Sequence, residues 1–128
     1  MKLFHKFNSQ EDRRNFGGSY FIELQFCRLP KGTENKKLFS DIRHWQNDSL
    51  YICDDDLFYR EYSGIFNCGI YHNLKTGIVD IYGLNYYPPE LTDALIKRIT
   101  EKSPEDGNTL LEWLSKAKNY NGFYVLGV

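Results

Sequence analysis

Alternating apolar and polar positions mark the first strand of the chain. Within Ser19–Leu29, apolar side chains fall at every second position from Ile22 to Phe26, with polar or small ones between them. Gly17-Gly18 precedes the segment and Pro30-Lys31-Gly32 follows it. A period of two between such breakers predicts a half-buried β-strand.

Helical spacing appears in three other segments. Apolar residues from Leu38 to Trp45 fall at positions i, i+1, i+4 and i+7, which predicts a short helix over Glu34–Gln46. His44–Gln46 suits the start of a strand equally well. A second helix begins at Pro88-Pro89-Glu90 and ends at Ser103-Pro104, and a third runs from about Thr109 to Asn119.

Several β-prone runs lie in the middle of the chain. Leu50–Cys53, Leu57–Tyr62 and Gly64–Asn67 are three of them. Gly69–His72 and Gly77–Tyr82 flank a short loop ending in Gly, which predicts a hairpin. The second arm is apolar on both faces, which indicates a central strand. Phe123–Val128 is so apolar that we expect it to pair inside the sheet.

The order of elements indicates one α+β domain over residues 1–128. We expect a central, mainly antiparallel sheet covered by two or three helices, with the C-terminal strand in the sheet. The 16% share of aromatic residues, including ten Tyr and nine Phe, provides bulky side chains for a core.

Charge and cysteine content restrict the class of function. The net charge of −1 argues against a direct nucleic-acid binder. Residues 1–48 carry nine Lys/Arg and six Asp/Glu, whereas residues 49–128 carry seven and eleven. There is no membrane-spanning apolar run and no secretory signal pattern. Three unpaired cysteines then indicate a reduced, cytoplasmic protein, which we expect to be a monomer or weak dimer.

Motifs for catalysis or cofactors do not occur in the sequence. His5, His44 and His72 lie far apart, and no zinc spacing, nucleophile elbow or phosphate-binding glycine loop is present. We therefore expect no catalytic residue, cofactor or metal. A Cys–His site remains an alternative on numbers alone. Tyr86-Tyr87 is either an exposed platform for nucleobases or packing beneath the helix that follows.

The acidic run Asp54-Asp55-Asp56 is the sharpest charge feature. It lacks the alternating ligand order of a calcium loop. A solvated turn between strands would explain it without any function. Acids beside aromatic residues also match the composition of an interface for a basic partner. The candidate interface residues are Asp54, Asp55, Asp56, Tyr59, Glu61 and Tyr62.

Three segments of the second half carry a family resemblance. They are Ile78-Val79-Asp80-Ile81-Tyr82-Gly83-Leu84-Asn85-Tyr86-Tyr87, Leu110-Leu111-Glu112-Trp113-Leu114 and Asn121-Gly122-Phe123-Tyr124-Val125-Leu126-Gly127. In these segments residues 65–128 resemble bacterial toxin-immunity proteins of contact-dependent growth inhibition and related polymorphic toxin systems.

The resemblance implies a small cytoplasmic antidote that binds one cognate toxin C-terminal domain. Toxins of this kind are frequently nucleases with basic clefts, and an acidic, aromatic surface suits such a cleft. The family has no catalytic residues to transfer. Two rival hypotheses remain, a small enzyme with a Cys/His site and an RNA-binding module with exposed Tyr. A deep pocket with perturbed titratable groups would favour the first, and a basic surface around the rings would favour the second.

Overall fold

The computed structural model describes residues 2–17, 20–40, 42–43 and 45–128. Within them the chain forms an α+β fold with one six-stranded antiparallel sheet and four α-helices, which confirms the expected class. The strands are β1 (Ile22–Phe26), β2 (Leu50–Ile52), β3 (Gly69–Tyr71), β4 (Thr76–Gly77), β5 (Leu84–Tyr87) and β6 (Phe123–Leu126). The helices are α1 (Gln10–Gly17), α2 (Asp55–Tyr62), α3 (Thr92–Lys102) and α4 (Gly107–Ala117).

The C-terminal strand β6 lies in the middle of the sheet. The spatial order is β2-β1-β6-β5-β3-β4, and β6 pairs antiparallel with both β1 and β5. Val125 is the register partner of Leu24 on one side and of Asn85 on the other. All four residues of β6 are buried, because both faces of the sheet are covered. The expectation of a C-terminal strand inside the sheet is confirmed.

One face of the sheet packs against α2, α3 and α4. Phe26 stacks on Trp113 of α4 with ring centroids 4.1 Å apart, and Phe123 meets the same indole edge-on at 5.5 Å. Trp113 is fully buried, and its ring N–H donates to the carbonyl oxygen of Asp48 at 2.8 Å. Large aromatic rings therefore fill this core, as the composition indicates.

The other face of β1 is also buried, so the half-buried strand expected from alternation is wrong. Glu23 and Gln25, which project from this face, are each only 3% exposed. Residues 28–40 and 45–49 lie over this face, and Leu38 packs there against Tyr86 and Tyr124. An irregular covering segment therefore buries positions that the local pattern assigns to solvent.

The helix expected over Glu34–Gln46 is wrong. Only Asn35–Lys37 forms a short 3₁₀ turn, and Asp41 and His44 lie outside the described residues. The Ser40 hydroxyl donates to the Lys37 carbonyl at 2.6 Å, a local bond that competes with helical backbone bonds. Trp45 instead stacks on Tyr51 of β2, with ring centroids 5.1 Å apart. Apolar side chains of the segment 34–46, such as Leu38 and Trp45, thus reach the sheet although the segment is not a helix.

Two further elements differ from the expectation. The β-prone run Leu57–Tyr62 is helical in α2, because Asp54 caps it by accepting a bond from the Leu57 N–H at 3.0 Å. The hairpin is confirmed between β3 and β4, but β4 is a two-residue edge strand and residues 78–82 leave the sheet. β5, which contains Tyr86-Tyr87, takes the inner position.

The two helices expected after Pro88 are confirmed, with shifted starts. A 3₁₀ turn at Pro89–Leu91 leads into α3, and α4 begins at Gly107, two residues before the expected position. Gly122 follows α4 with a φ of 77°, the left-handed conformation that favours glycine. Among the described residues no helix has the length and apolar character needed to cross a bilayer.

Candidate functional site

An open groove of about 670 Å³ separates α2 from the chain that follows β4. We call it the α2 groove. Its lining residues are Asp56, Tyr59, Arg60, Tyr71, Ile78, Val79, Asp80, Ile81 and Tyr82. They come from α2, from β3 and from residues 78–82, so three separate stretches of the chain build the groove.

The first wall is the outward face of α2. Asp56, Tyr59 and Arg60 stand at positions i, i+3 and i+4, which form one stripe on a helix, and all three are exposed. The opposite side of the helix carries Leu57 and Phe58, both buried. Burial of that side fixes the rotation of α2, and the stripe consequently faces the groove.

The second wall is the segment 78–82, whose side chains alternate. Val79 and Ile81 are buried in the helix-side core, whereas Ile78 and Tyr82 are 44% and 70% exposed. The Val79 N–H donates to the Phe66 carbonyl oxygen at 2.8 Å, and the Tyr71 hydroxyl donates to the carbonyl oxygen of Ile78. These two bonds attach the start of the segment to its neighbours although it has left the sheet.

Asn85 holds the far end of this wall. Its side-chain oxygen accepts from the Asp80 N–H at 2.8 Å, and its amide group donates to the Asp80 carbonyl at 2.8 Å and to the Val125 carbonyl at 2.9 Å. Asn85 is fully buried on β5. Beyond it, the Val128 N–H donates to the Ile81 carbonyl at 3.0 Å. The exposed Tyr82 is therefore carried on a turn fixed from the sheet interior.

The groove combines exposed apolar surface with negative charge. Tyr59 is 40% exposed, and it shares the groove with Ile78 and Tyr82. Asp56 and Asp80 are its acidic residues and Arg60 its single basic one. Large apolar side chains left in water beside charged groups are characteristic of protein interaction sites. The arrangement can accept an apolar side chain of a partner together with a positively charged group.

The structure separates the six candidate interface residues into two groups. Asp56 and Tyr59 line the groove. Asp54 caps α2, and the Asp55 carboxylate accepts from the Asp56 N–H at 3.0 Å, so both serve the helix N-terminus, where negative charge is favourable. The acidic run is thus a helix start, and the alternative of a turn between strands is wrong.

The last two candidates connect α2 to the loop before α4. The Glu61 carboxylate accepts from the Glu105 N–H at 3.0 Å, and the Tyr62 hydroxyl donates to the Glu105 carbonyl at 2.6 Å. Tyr62 is fully buried, and burial, together with the charges of Asp106 and Glu61, raises the pKa of its hydroxyl. A partner cannot reach the Tyr62 ring unless α2 moves, so this residue leaves the candidate set.

Sequence reasoning missed seven of the nine lining residues of the groove, namely Arg60, Tyr71, Ile78, Val79, Asp80, Ile81 and Tyr82. The available signal was the alternation over residues 78–82, which places Ile78, Asp80 and Tyr82 on one face. That alternation was interpreted as a strand with two apolar faces. The missing information was the long-range bond of Asn85 to Val125, which a local pattern does not contain.

Cysteines and histidines occupy unrelated surroundings. Cys27 is buried with its sulfur 3.2 Å from the Tyr124 hydroxyl oxygen, Cys53 is exposed, and Cys68 lies 3.6 Å from an Arg98 nitrogen. The ring of His72 meets Phe39 edge-on, and that of His5 lies 4.6 Å from Phe16. In the described part of the chain no three His, Cys, Asp or Glu residues cluster as metal ligands.

Burial raises the pKa of several side chains in the core of the protein, among them the Glu23 carboxyl and the Tyr86 and Tyr87 hydroxyls. None of these three side chains lines the α2 groove.

Comparison with known proteins gives no relative. No protein-family model, no curated protein and no solved structure matches the chain.

Proposed function

We propose that this protein is an immunity protein, which binds a cognate bacterial toxin domain and blocks its active site or substrate access. The observation that carries the proposal is the α2 groove, in which exposed Tyr59, Ile78 and Tyr82 stand beside Asp56 and Asp80. A second support is the resemblance of residues 65–128 to such antidotes. The toxin domain we expect is a nuclease with a basic cleft.

The groove has the two properties that such a role requires. Exposed aromatic side chains supply most of the energy in protein interfaces when a partner buries them. Negative charge around them speeds association with a basic partner and disfavours other partners. Tyr82 is 70% exposed on a turn that Asn85 fixes, so the backbone that carries its ring has little freedom left to lose when a partner binds.

A binding role accounts for the groove better than the two rival functions. An RNA-binding module would surround its exposed rings with basic side chains, whereas Tyr59 and Tyr82 share their groove with two carboxylates and one guanidinium. The rival enzyme would bring a cysteine and a histidine together in a pocket. The groove contains neither a cysteine nor a histidine.

The test is co-purification with the C-terminal domain encoded by the reading frame upstream of this gene. Co-expression should yield a stable complex and restore growth to cells that produce the toxin domain. The matched variant pair is Tyr82→Ala in the groove and Tyr20→Ala outside it, since Tyr20 is 77% exposed and does not line the groove. Absence of both complex and rescue with the wild-type protein would refute the proposal.

A further inference from the structure

The guanidinium of Arg13 lies among three aromatic rings on the second face of the sheet. Its central carbon is 5.6 Å from the centroid of Phe21, 5.7 Å from that of Trp45 and 5.4 Å from that of Tyr51. We call these three rings the aromatic pocket. Each distance is within the range at which a cation is attracted to the face of a ring.

A buried carboxyl group lies beside the aromatic pocket. The register of β1 and β2 places Glu23 directly opposite Tyr51, and Glu23 is only 3% exposed. Its carboxylate accepts bonds from the Ser49 hydroxyl at 2.8 Å and the Gln25 amide at 2.9 Å. The positive charge of Arg13 lowers the pKa of this carboxyl, although burial raises it by more. Three rings and a neighbouring carboxylate form a site for a delocalised cation.

The helix that supplies this cation is weakly attached. None of the eight residues of α1 is buried, and Phe16 is 54% exposed. Phe16 contacts two partly buried rings, with centroids 4.6 Å from His5 and 5.4 Å from Phe7. An isolated helix of this length is marginal in water. Arg13 therefore reaches the aromatic pocket from a helix that has no buried residue of its own.

The aromatic pocket is separate from the α2 groove. β2 and β4 are the two outer strands of the sheet. The pocket uses Tyr51 of β2, whereas the groove lies beside β4 and uses residues 78–82. An inference about the pocket consequently does not depend on the function proposed for the groove.

We propose that the aromatic pocket is a binding site for guanidinium groups, in which Arg13 is an internal ligand that an arginine side chain of a partner protein replaces. Arginine suits the pocket better than lysine, because its planar guanidinium stacks on rings and is more weakly hydrated. The exchange breaks and forms no covalent bond. One guanidinium leaves the rings with α1, and another takes its place.

The first experiment supplies the missing group to an Arg13→Ala variant. N-ethylguanidinium at ten times its dissociation constant should raise the unfolding midpoint of this variant by about 3–5 °C, and the rise should saturate. Ethylammonium at equal ionic strength should have a smaller effect, and Arg13→Ala/Trp45→Ala should respond to neither. Equal responses to both cations, or no response in Arg13→Ala, would overturn the proposal. If Arg13→Ala does not fold, Arg13→Lys takes its place with a smaller expected rise.

The second experiment examines replacement in the wild-type protein. N-acetylarginine methylamide, at concentrations that saturate Arg13→Ala, should speed amide hydrogen exchange in α1 and leave the exchange of β6 unchanged. Unchanged exchange in α1 would show that Arg13 is a fixed structural contact. Tighter binding of this ligand than of N-ethylguanidinium would support a polypeptide source for the guanidinium, and equal binding would overturn the assignment to a partner protein.

Discussion

Asn85 and Asp80 exchange two hydrogen bonds that join the groove wall to the centre of the sheet. The Asp80 N–H donates to the Asn85 side-chain oxygen and the Asp80 carbonyl accepts from the Asn85 amide, each at 2.8 Å. The same amide reaches the Val125 carbonyl on β6. A fully buried side chain on β5 thus sets the backbone that carries Tyr82.

Replacing Asn85 with alanine should therefore affect both stability and the groove. Asn85→Ala leaves the Asp80 and Val125 backbone groups without their partner, and we expect a loss of about 1–3 kcal/mol in the free energy of unfolding. Urea denaturation measures it. The control is Asn108→Ala, an exposed position in α4, for which we expect a change within about 0.5 kcal/mol. Equal effects of the two variants would contradict the role given to Asn85.

Gly122 and Gly32 allow backbone strain to be separated from steric overlap. Both have positive φ values, 77° and 89°, but a Cβ at Gly122 would overlap the Tyr87 carbonyl oxygen whereas one at Gly32 meets no atom within 4 Å. Gly32→Ala should cost about 1–2 kcal/mol from the left-handed conformation alone. Gly122→Ala should cost about 3 kcal/mol or more, since the overlap adds to the strain. Similar losses in denaturation experiments would mean that β5 and β6 can separate freely at this point.

The Glu23 carboxyl should make stability depend on pH. Burial raises its pKa in the folded protein above the ordinary value of 4.5, although Gln25, Ser49, Tyr51 and Arg13 oppose the shift. The folded state therefore binds this proton more tightly than the unfolded chain. Its contribution is fully present below pH 4.5 and is lost as the pH rises through the folded pKa.

Glu23→Gln isolates that contribution. The difference in unfolding free energy between variant and wild type should shift in favour of the variant as the pH rises from 4.5 towards neutrality, by up to about 1.4 kcal/mol per pH unit within the interval. Urea denaturation at a series of pH values gives this difference. A difference that does not change with pH would show that Glu23 has the same pKa folded and unfolded.

Local sequence patterns predict those helices and strands whose formation depends mainly on residues close to them in the sequence. The apolar run at 123–126 and the presence of α3 and α4 can be predicted from the sequence, because each depends on neighbouring residues. α2 was misread since Asp54-Asp55-Asp56 suits both a turn and a helix start. The correct interpretation needed Leu57 and Phe58 as the buried face of a helix, with both side chains in one core.

Long-range contacts explain why the groove was found only in part. Asp56 and Tyr59 are near in sequence, but Tyr82 joins them only because Asn85 bonds to Val125, forty residues away. The aromatic pocket likewise combines Arg13, Phe21, Trp45 and Tyr51, and nothing in the spacing of these residues indicates that they meet. Contacts of this kind depend on the sheet order, which local periodicity leaves open.

The charge of the groove gives a prediction for the kinetics of association. Replacing Asp54 with lysine would remove the cap of α2 and cost about 1 kcal/mol, so Asp54 stays unchanged in the variant. Asp56→Lys with Asp80→Asn changes the groove charge and keeps the acceptor that Asp80 offers to the Tyr82 N–H at 3.0 Å. This variant should slow association with the toxin domain, most strongly at low salt, and leave dissociation nearly unchanged. Stopped-flow kinetics measures the association rate. A rate equal to that of the wild type would show that the interface lies elsewhere.

The most direct test of the groove as an interface is the affinity of the toxin domain for three proteins, measured by calorimetry. The wild type and Tyr20→Ala should bind equally, and Tyr82→Ala should bind at least about tenfold more weakly while keeping its unfolding midpoint. If Tyr82→Ala binds as the wild type does, or if Tyr20→Ala is the weaker variant, the α2 groove is not the surface that holds the partner.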